Sequence, residues 1–173
     1  MKQLLYIFVA VLTLGLGGCK KLVQFKMEYN DTVTIPANTL INLPIELATP
    51  QNTTNSEEQF SGNGTASNLI SKVALTNLDL SIVNPASETF DFLKSVEIYL
   101  SAPDLAEIRV AYINEVPATG LQQLPLTCED VDLKEYLKKS TYSIRVKAVT
   151  DEALANDTQV NIHSRFAVDA GIF

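Results

Sequence analysis

The residue types that most often do chemistry are scarce in this chain and poorly spaced for it. His163 is its single histidine and Cys128 one of only two cysteines. A structural zinc site draws four ligands from Cys and His, and a catalytic one draws three, so this pair cannot build either. A Cys–His nucleophile would need Cys128 and His163 within hydrogen-bond reach, which their positions in the chain do not establish. Cys128 also precedes Glu129-Asp130, whose charges oppose the thiolate that a helix N-terminus would favour. The carboxylates Glu129, Asp130 and Asp132, and the pair Asp151-Glu152, lack the ligand spacing of a calcium loop. Nothing near them would set one pKa apart from its neighbour. There is no Gly-rich phosphate loop and no Ser in a nucleophile elbow. These patterns predict a non-enzymatic protein with no catalytic residue, no cofactor and no metal ligand.

The one constellation with binding chemistry is basic. All three arginines, Arg109, Arg145 and Arg165, together with Lys147 and His163, fall on the outward phase of three strand-like segments in the second half of the chain. If those strands are neighbours, the side chains form one positive face able to meet a carboxylate, a phosphate or an anionic glycan. The competing expectation is that they pair across strands with Glu97, Glu107 or Asp169. With 13 Lys plus Arg against 20 Asp plus Glu, the formal charge is -7. That balance, with no basic cluster, excludes a nucleic-acid partner. An apolar share of 46% excludes global disorder, and 173 residues predict one compact domain.

The elements that must position these residues are strands. Alternation of apolar and polar side chains runs through 22–29, 32–35, 41–47, 96–100, 108–113, 142–148 and 160–168. Between Ile70 and Val83 the phase slips: Val73 and Leu75 are apolar at odd positions, Leu78, Leu80 and Ile82 at even ones. One extra residue near Thr76-Asn77 would keep both sets facing a core, which predicts a β-bulge or bend there. Pro44 demotes its strand to an edge, because it cannot donate to a ladder. Turn chemistry is read at Asn30-Asp31, Asn84-Pro85 and Pro117 to Gly120. Asp130 to Lys139 reads as the one short helix, with a helical turn more at Ser87 to Leu93. Residues 48–68 read as a long polar loop, either disordered or a partner-binding loop with Phe60 as its anchor. The fold class expected is mainly β: a two-layer antiparallel β-sandwich, Ig-like, with one short helix.

The first 18 residues read as an address. Lys2 precedes an apolar run from Leu4 to Leu16, too short for the ~20 residues that cross a bilayer. Leu16-Gly17-Gly18-Cys19 then resembles the bacterial lipobox. That resemblance implies cleavage before Cys19, diacylglycerol on its thiol and acylation, with palmitate as a label, of the new amine. The expected organisation is a lipoprotein signal peptide at 1–18, lipidated Cys19 with a tether ending at Lys21, and a single domain over 22–173. If the strand at 22–29 belongs to the fold, two lysines at ~3.5 Å each leave only ~7 Å between lipid and domain.

With its lipobox, its β-rich and Trp-free body, and segments such as Thr89 to Leu93 leading into Val96 to Leu100, the chain is similar to small outer-membrane lipoproteins of Bacteroidota. The resemblance carries no activity. Surface export in that group resembles a rule of acidic residues after the lipidated Cys, and Lys20-Lys21-Leu22-Val23 departs from it, which implies the periplasmic face of the outer membrane. Asp31-Thr32-Val33 is similar to the group's O-glycosylation pattern and marks Thr32. The function expected is an accessory or scaffold subunit for another envelope protein. The alternatives are a glycan- or anion-binding module built on Arg109, Arg145 and Arg165, and a surface adhesin subunit with an exposed edge.

Overall fold

The computed structural model describes residues 22–172; the leader, Cys19 and the Lys20-Lys21 tether lie outside the described residues. Ten strands form two antiparallel sheets. The first sheet has the order β1 (Leu22–Ile35), β10 (Thr158–Gly171), β4 (Ile70–Asn84), β7 (Gln123–Pro125). The second has the order β2 (Pro44–Ala48), β9 (Thr141–Thr150), β5 (Leu93–Ser101), β6 (Ile108–Ile113), β8 (Thr127–Cys128), with β3 (Asn52–Thr53) continuing β2 along the same edge of β9. The sheets pack face to face, as the alternation requires. β9 buries every second side chain along its whole length, and β10 does the same. Among the described residues no helix is long and apolar enough to cross a membrane.

The connectivity within this sandwich is finer than the alternation could reveal. The first strand pairs with the last, β2 with β9, and β4 and β5 lie inside those pairs on opposite sheets. This nesting of two Greek keys is the jelly-roll order, in place of the immunoglobulin arrangement. The space between the sheets is filled. Between them lies a void of about 10 Å³, lined wholly by apolar residues that include Val33, Leu80, Phe90 and Val146. That is room for about one water with no polar partner.

Several expectations hold at residue level. The ladder between β10 and β4 steps from Arg165 opposite Asn77 to Phe166 opposite Leu75, so Thr76 is the extra residue. Its hydroxyl donates to the Arg165 carbonyl at 3.0 Å. Similar steps leave out Ser71 and Val83, so β4 carries three bulges against β10. Pro44 opens β2, which is an edge strand.

Four expectations are corrected. Asn30-Asp31 is not a turn: β1 passes straight through it, in fourteen consecutive pairs with β10. Asn30 faces solvent, where its Oδ1 accepts from Asn161, and Asp31 faces the core. The helix expected over 130–139 shrinks to α2 (Lys134–Leu137), because Leu133 N–H donates to the Val73 carbonyl and Asp132 accepts from the Val73 N–H. That backbone is committed to β4 and cannot coil. The Ser87–Leu93 turn narrows to one 3₁₀ turn at Phe90–Phe92.

The fourth correction concerns 48–68, which is neither an open loop nor a partner's anchor site. It holds β3, α1 (Ser56–Gly62) and a 3₁₀ turn at Ser67–Leu69. Phe60 is 1% exposed and meets Phe25 edge-on at 6.2 Å, inside the protein's own core. Thr54 N–H donates to the Ser140 carbonyl, Thr54 Oγ1 to the Lys139 carbonyl at 2.6 Å, and Thr65 Oγ1 to the Gly171 carbonyl at 2.6 Å. The polar side chains that resemble a disordered composition are here the ties.

Candidate functional site

The three arginines do not converge. Arg109 on β6 and Arg145 on β9 share the outer face of the second sheet, whereas Arg165 on β10 lies on the outer face of the first. Each meets carboxylates. Arg109 donates from Nη1 to Glu97 at 2.9 Å and from Nε to Glu129 at 2.8 Å. Arg145 donates from Nε to Glu107 Oε2 at 3.0 Å and lies 3.0 Å from Glu46. Arg165 donates from Nε to Glu28 at 2.7 Å. Lys147 takes the other oxygen of Glu97 at 2.9 Å. The guanidinium groups of Arg145 and Arg109 also stack over Tyr99 and Tyr112, at 4.3 and 4.6 Å from the ring centroids.

The single positive face is therefore not formed, and the cross-strand pairing with Glu97 and Glu107 is what the strand order produces. β9 and β6 flank β5, so Glu97 is reached from both sides. Hydrogen bonds from Lys147 and Arg109 hold the Glu97 carboxyl below its ordinary pKa, and Arg145 does the same for Glu107. The cations of this face are already neutralised.

Cys128 and His163 take separate partners. His163 projects outward from β10, 3.5 Å from Glu28, the carboxylate that also holds Arg165. Cys128 sits half-buried on β8, where burial, with the nearby Asp79 charge, pushes its thiol pKa up. A raised thiol pKa is the opposite of what a nucleophile needs. Among the described residues no group of three or more His, Cys, Asp or Glu side chains is placed to hold a metal.

A buried polar cluster, unread in the sequence, closes the side of the sandwich between β1 and the β2–β3 edge. Asp31 is 3% exposed, yet Tyr142 Oη donates to its Oδ2 at 2.9 Å and Asn52 Nδ2 to its Oδ1. Beside it Tyr29 Oη donates to the Thr54 carbonyl at 2.7 Å, and the Tyr29 and Tyr142 rings meet edge-on at 5.3 Å. Burial raises the Asp31 pKa, and the two donors work against that rise. The signal was present: continuing the odd phase of Met27 and Tyr29 to Val33 and Ile35 turns Asp31 inward. The same phase exposes Thr32 on the outer face opposite Asn161. In the folded chain its hydroxyl is accessible, but the flanking Asp31 and Val33 are not.

The most distinctive surface is the loop 36–43 between β1 and β2. Leu40, Ile41 and Leu43 are 69%, 50% and 52% exposed. Their backbone is nonetheless held: Asn38 N–H donates to the Leu154 carbonyl at 3.0 Å, Asn42 N–H to the Thr150 carbonyl at 2.6 Å. Asn38 and Asn42 take the left-handed conformation, with φ of 57° and 59°, which Asn tolerates better than most residues. Three aliphatic side chains are thus presented on a fixed frame, at the end of β1 opposite Leu22.

No protein-family model and no curated protein matches the chain. Among solved structures it is similar, over 96% of its own length and 94% of the other chain, to a chain from "The Structure of Tomato Aspermy Virus by X-Ray Crystallography", at 11% identity and a TM-score of 0.30. A likeness that low says nothing of function, and the jelly-roll assignment rests on the strand order alone.

Proposed function

We propose that this chain is a non-enzymatic lipoprotein, anchored through Cys19 to the periplasmic face of the bacterial outer membrane. There it serves as an accessory or scaffold subunit that docks another envelope protein on the loop 36–43. The observation that carries this reading is the exposed apolar tip formed by Leu40, Ile41 and Leu43, in a loop hydrogen-bonded to the fold at Asn38 and Asn42. Large aliphatic side chains grouped on an ordered surface loop mark a binding surface more often than a stability device. The anchor half of the reading is supported by Leu16-Gly17-Gly18-Cys19 and by the immediate start of β1 at Leu22. A strand of fourteen residues at ~3.3 Å each then separates anchor and tip by about 45 Å.

The anion-binding alternative lost its support with the pairing of Arg109, Arg145 and Arg165. The adhesin alternative keeps one observation: β1 is an edge strand whose ladder, among the described residues, runs to β10 alone.

Two measurements test the proposal. A photo-crosslinking residue at Leu40 or Ile41 is expected to give one discrete adduct in intact envelopes, absent from a control position at Asn161 and lost with Leu43→Asp. Equal adducts from the tip and from Asn161, or none from the tip, would sink the docking reading. Proteinase shaving of intact against lysed cells, with palmitate labelling of wild type and Cys19→Ala, tests the anchor and its side. Labelling that needs Cys19, with protection until lysis, supports the periplasmic face, and digestion on intact cells supports the adhesin reading.

A further inference from the structure

The end of the domain opposite the tip loop is also apolar. Leu22, the first residue of β1, is 72% exposed, and Ile172, just past β10, is 39% exposed. They sit together because Leu22 pairs with Gly171 in the ladder. Between them and the 3₁₀ turn lies an open depression of about 470 Å³, floored by Leu69 and Ile70 and rimmed by Asn68 and Ser71. Two aliphatic side chains above an apolar floor, with polar groups at the rim, match the boundary between lipid headgroups and acyl chains.

The occupant follows from the length of chain outside the described residues. Leu22 is three residues beyond Cys19, so at ~3.5 Å per residue its Cα lies no more than ~10 Å from that of Cys19. Interfacial side chains bury ~5–10 Å into the headgroup–acyl boundary, the same range. We infer that Leu22, Ile172 and the half-buried Leu69 insert into the bilayer that carries the Cys19 lipid, forming a second membrane contact that sets the domain's orientation with β1 rising from the surface. This rests on the proposed lipidation of Cys19.

The chain contains no Trp, so a single introduced Trp reports without background. The full-length lipidated protein, as Leu22→Trp, Ile172→Trp or Leu40→Trp, is reconstituted in vesicles of phosphatidylethanolamine and phosphatidylglycerol containing brominated phosphatidylcholine. Expected is emission at shorter wavelength, with strong quenching by the brominated chains, for Leu22→Trp and Ile172→Trp and neither for Leu40→Trp. If the protein floats with the vesicles but Trp emission at both lower positions stays unquenched, the anchor stands and the second contact falls. If the wild-type protein does not float, both fall. Unquenched but blue-shifted emission together with dimeric sedimentation would assign the depression to a second copy and overturn the inference.

Discussion

Replacing Tyr142 by Phe removes one oxygen and nothing else, and its cost measures what holds the two sheets together along the β1 side. In the folded protein Tyr142 Oη donates to Asp31 Oδ2 at 2.9 Å, deep in the core, while Asn52 serves the other oxygen. Hydrogen bonds to charged groups contribute ~1.5–3 kcal/mol net, and stranding a buried acceptor costs about as much. A loss of ~2–3 kcal/mol is expected at pH 7, a fall in Tm of ~4–12 °C at the ~2–4 °C per kcal/mol of a domain this size. The pH dependence adds a second constraint. Burial raises the Asp31 pKa above its ordinary value in the folded state. The folded protein therefore binds this proton more tightly than the unfolded chain, and the group adds stability as pH falls through its folded pKa. Losing the Tyr142 donor raises that pKa further, so the Tyr142→Phe penalty shrinks on acidification. The glutamates Glu28, Glu97 and Glu107 have lowered pKa values and act in the opposite sense, their contributions fading as pH drops through the folded values. Urea unfolding of wild type, Tyr142→Phe, Asp31→Asn and the double variant, each at pH 7 and pH 5, isolates the pair. A Tyr142→Phe cost within ~0.5 kcal/mol of zero, or one that grows on acidification, would refute this account of the cluster.

Phe60→Ala should destabilise by ~3–5 kcal/mol in urea unfolding, since it empties a core site under α1; a cost near zero would mean 52–69 is not part of the fold. Glu97→Ala removes the shared partner of Arg109 and Lys147, both substantially exposed, and should cost no more than ~1 kcal/mol at low salt and less in added salt. Cys128 should react with iodoacetamide far more slowly in the native protein than in denaturant, because burial holds its thiol protonated. Deleting Thr76 leaves Leu75 and Leu78 two residues apart, in phase on an unbulged strand, so the variant should still fold with a modest fall in Tm, whereas deleting Ala74 makes the buried Val73 and Leu75 adjacent, turns one of them out of the core and should collapse the thermal melt.

How far the sequence could be read depended on whether a feature has a period. β9 and β10 were plain because every second residue is buried, and Thr76 was found because the apolar phase jumps across it. The bulges at Ser71 and Val83 leave no such trace: they sit near the ends of β4, where too few apolar residues follow to show a change of phase. Asn30-Asp31 carried a turn composition that fourteen ladder pairs overrode. The 48–68 segment hid its order because Thr54 and Thr65 hydrogen-bond to backbone far away in the chain, and local composition cannot register a distant acceptor. The arginine site failed for the same reason: outward phase placed each side chain correctly, but only strand order decides that Arg109 and Lys147 flank Glu97 and that Arg165 is on the other sheet.

β1 joins Leu22 to the tip loop without a break. Under the proposed anchoring, the lipid, this strand and the docking loop form one stretch of covalent chain. An extended strand already spans close to the greatest length its residues allow, so it cannot lengthen under load. A partner gripping Leu40 to Leu43 would be held at a fixed standoff from the bilayer. Tension on that partner would reach the anchor along peptide bonds, leaving the ladders of both sheets unloaded.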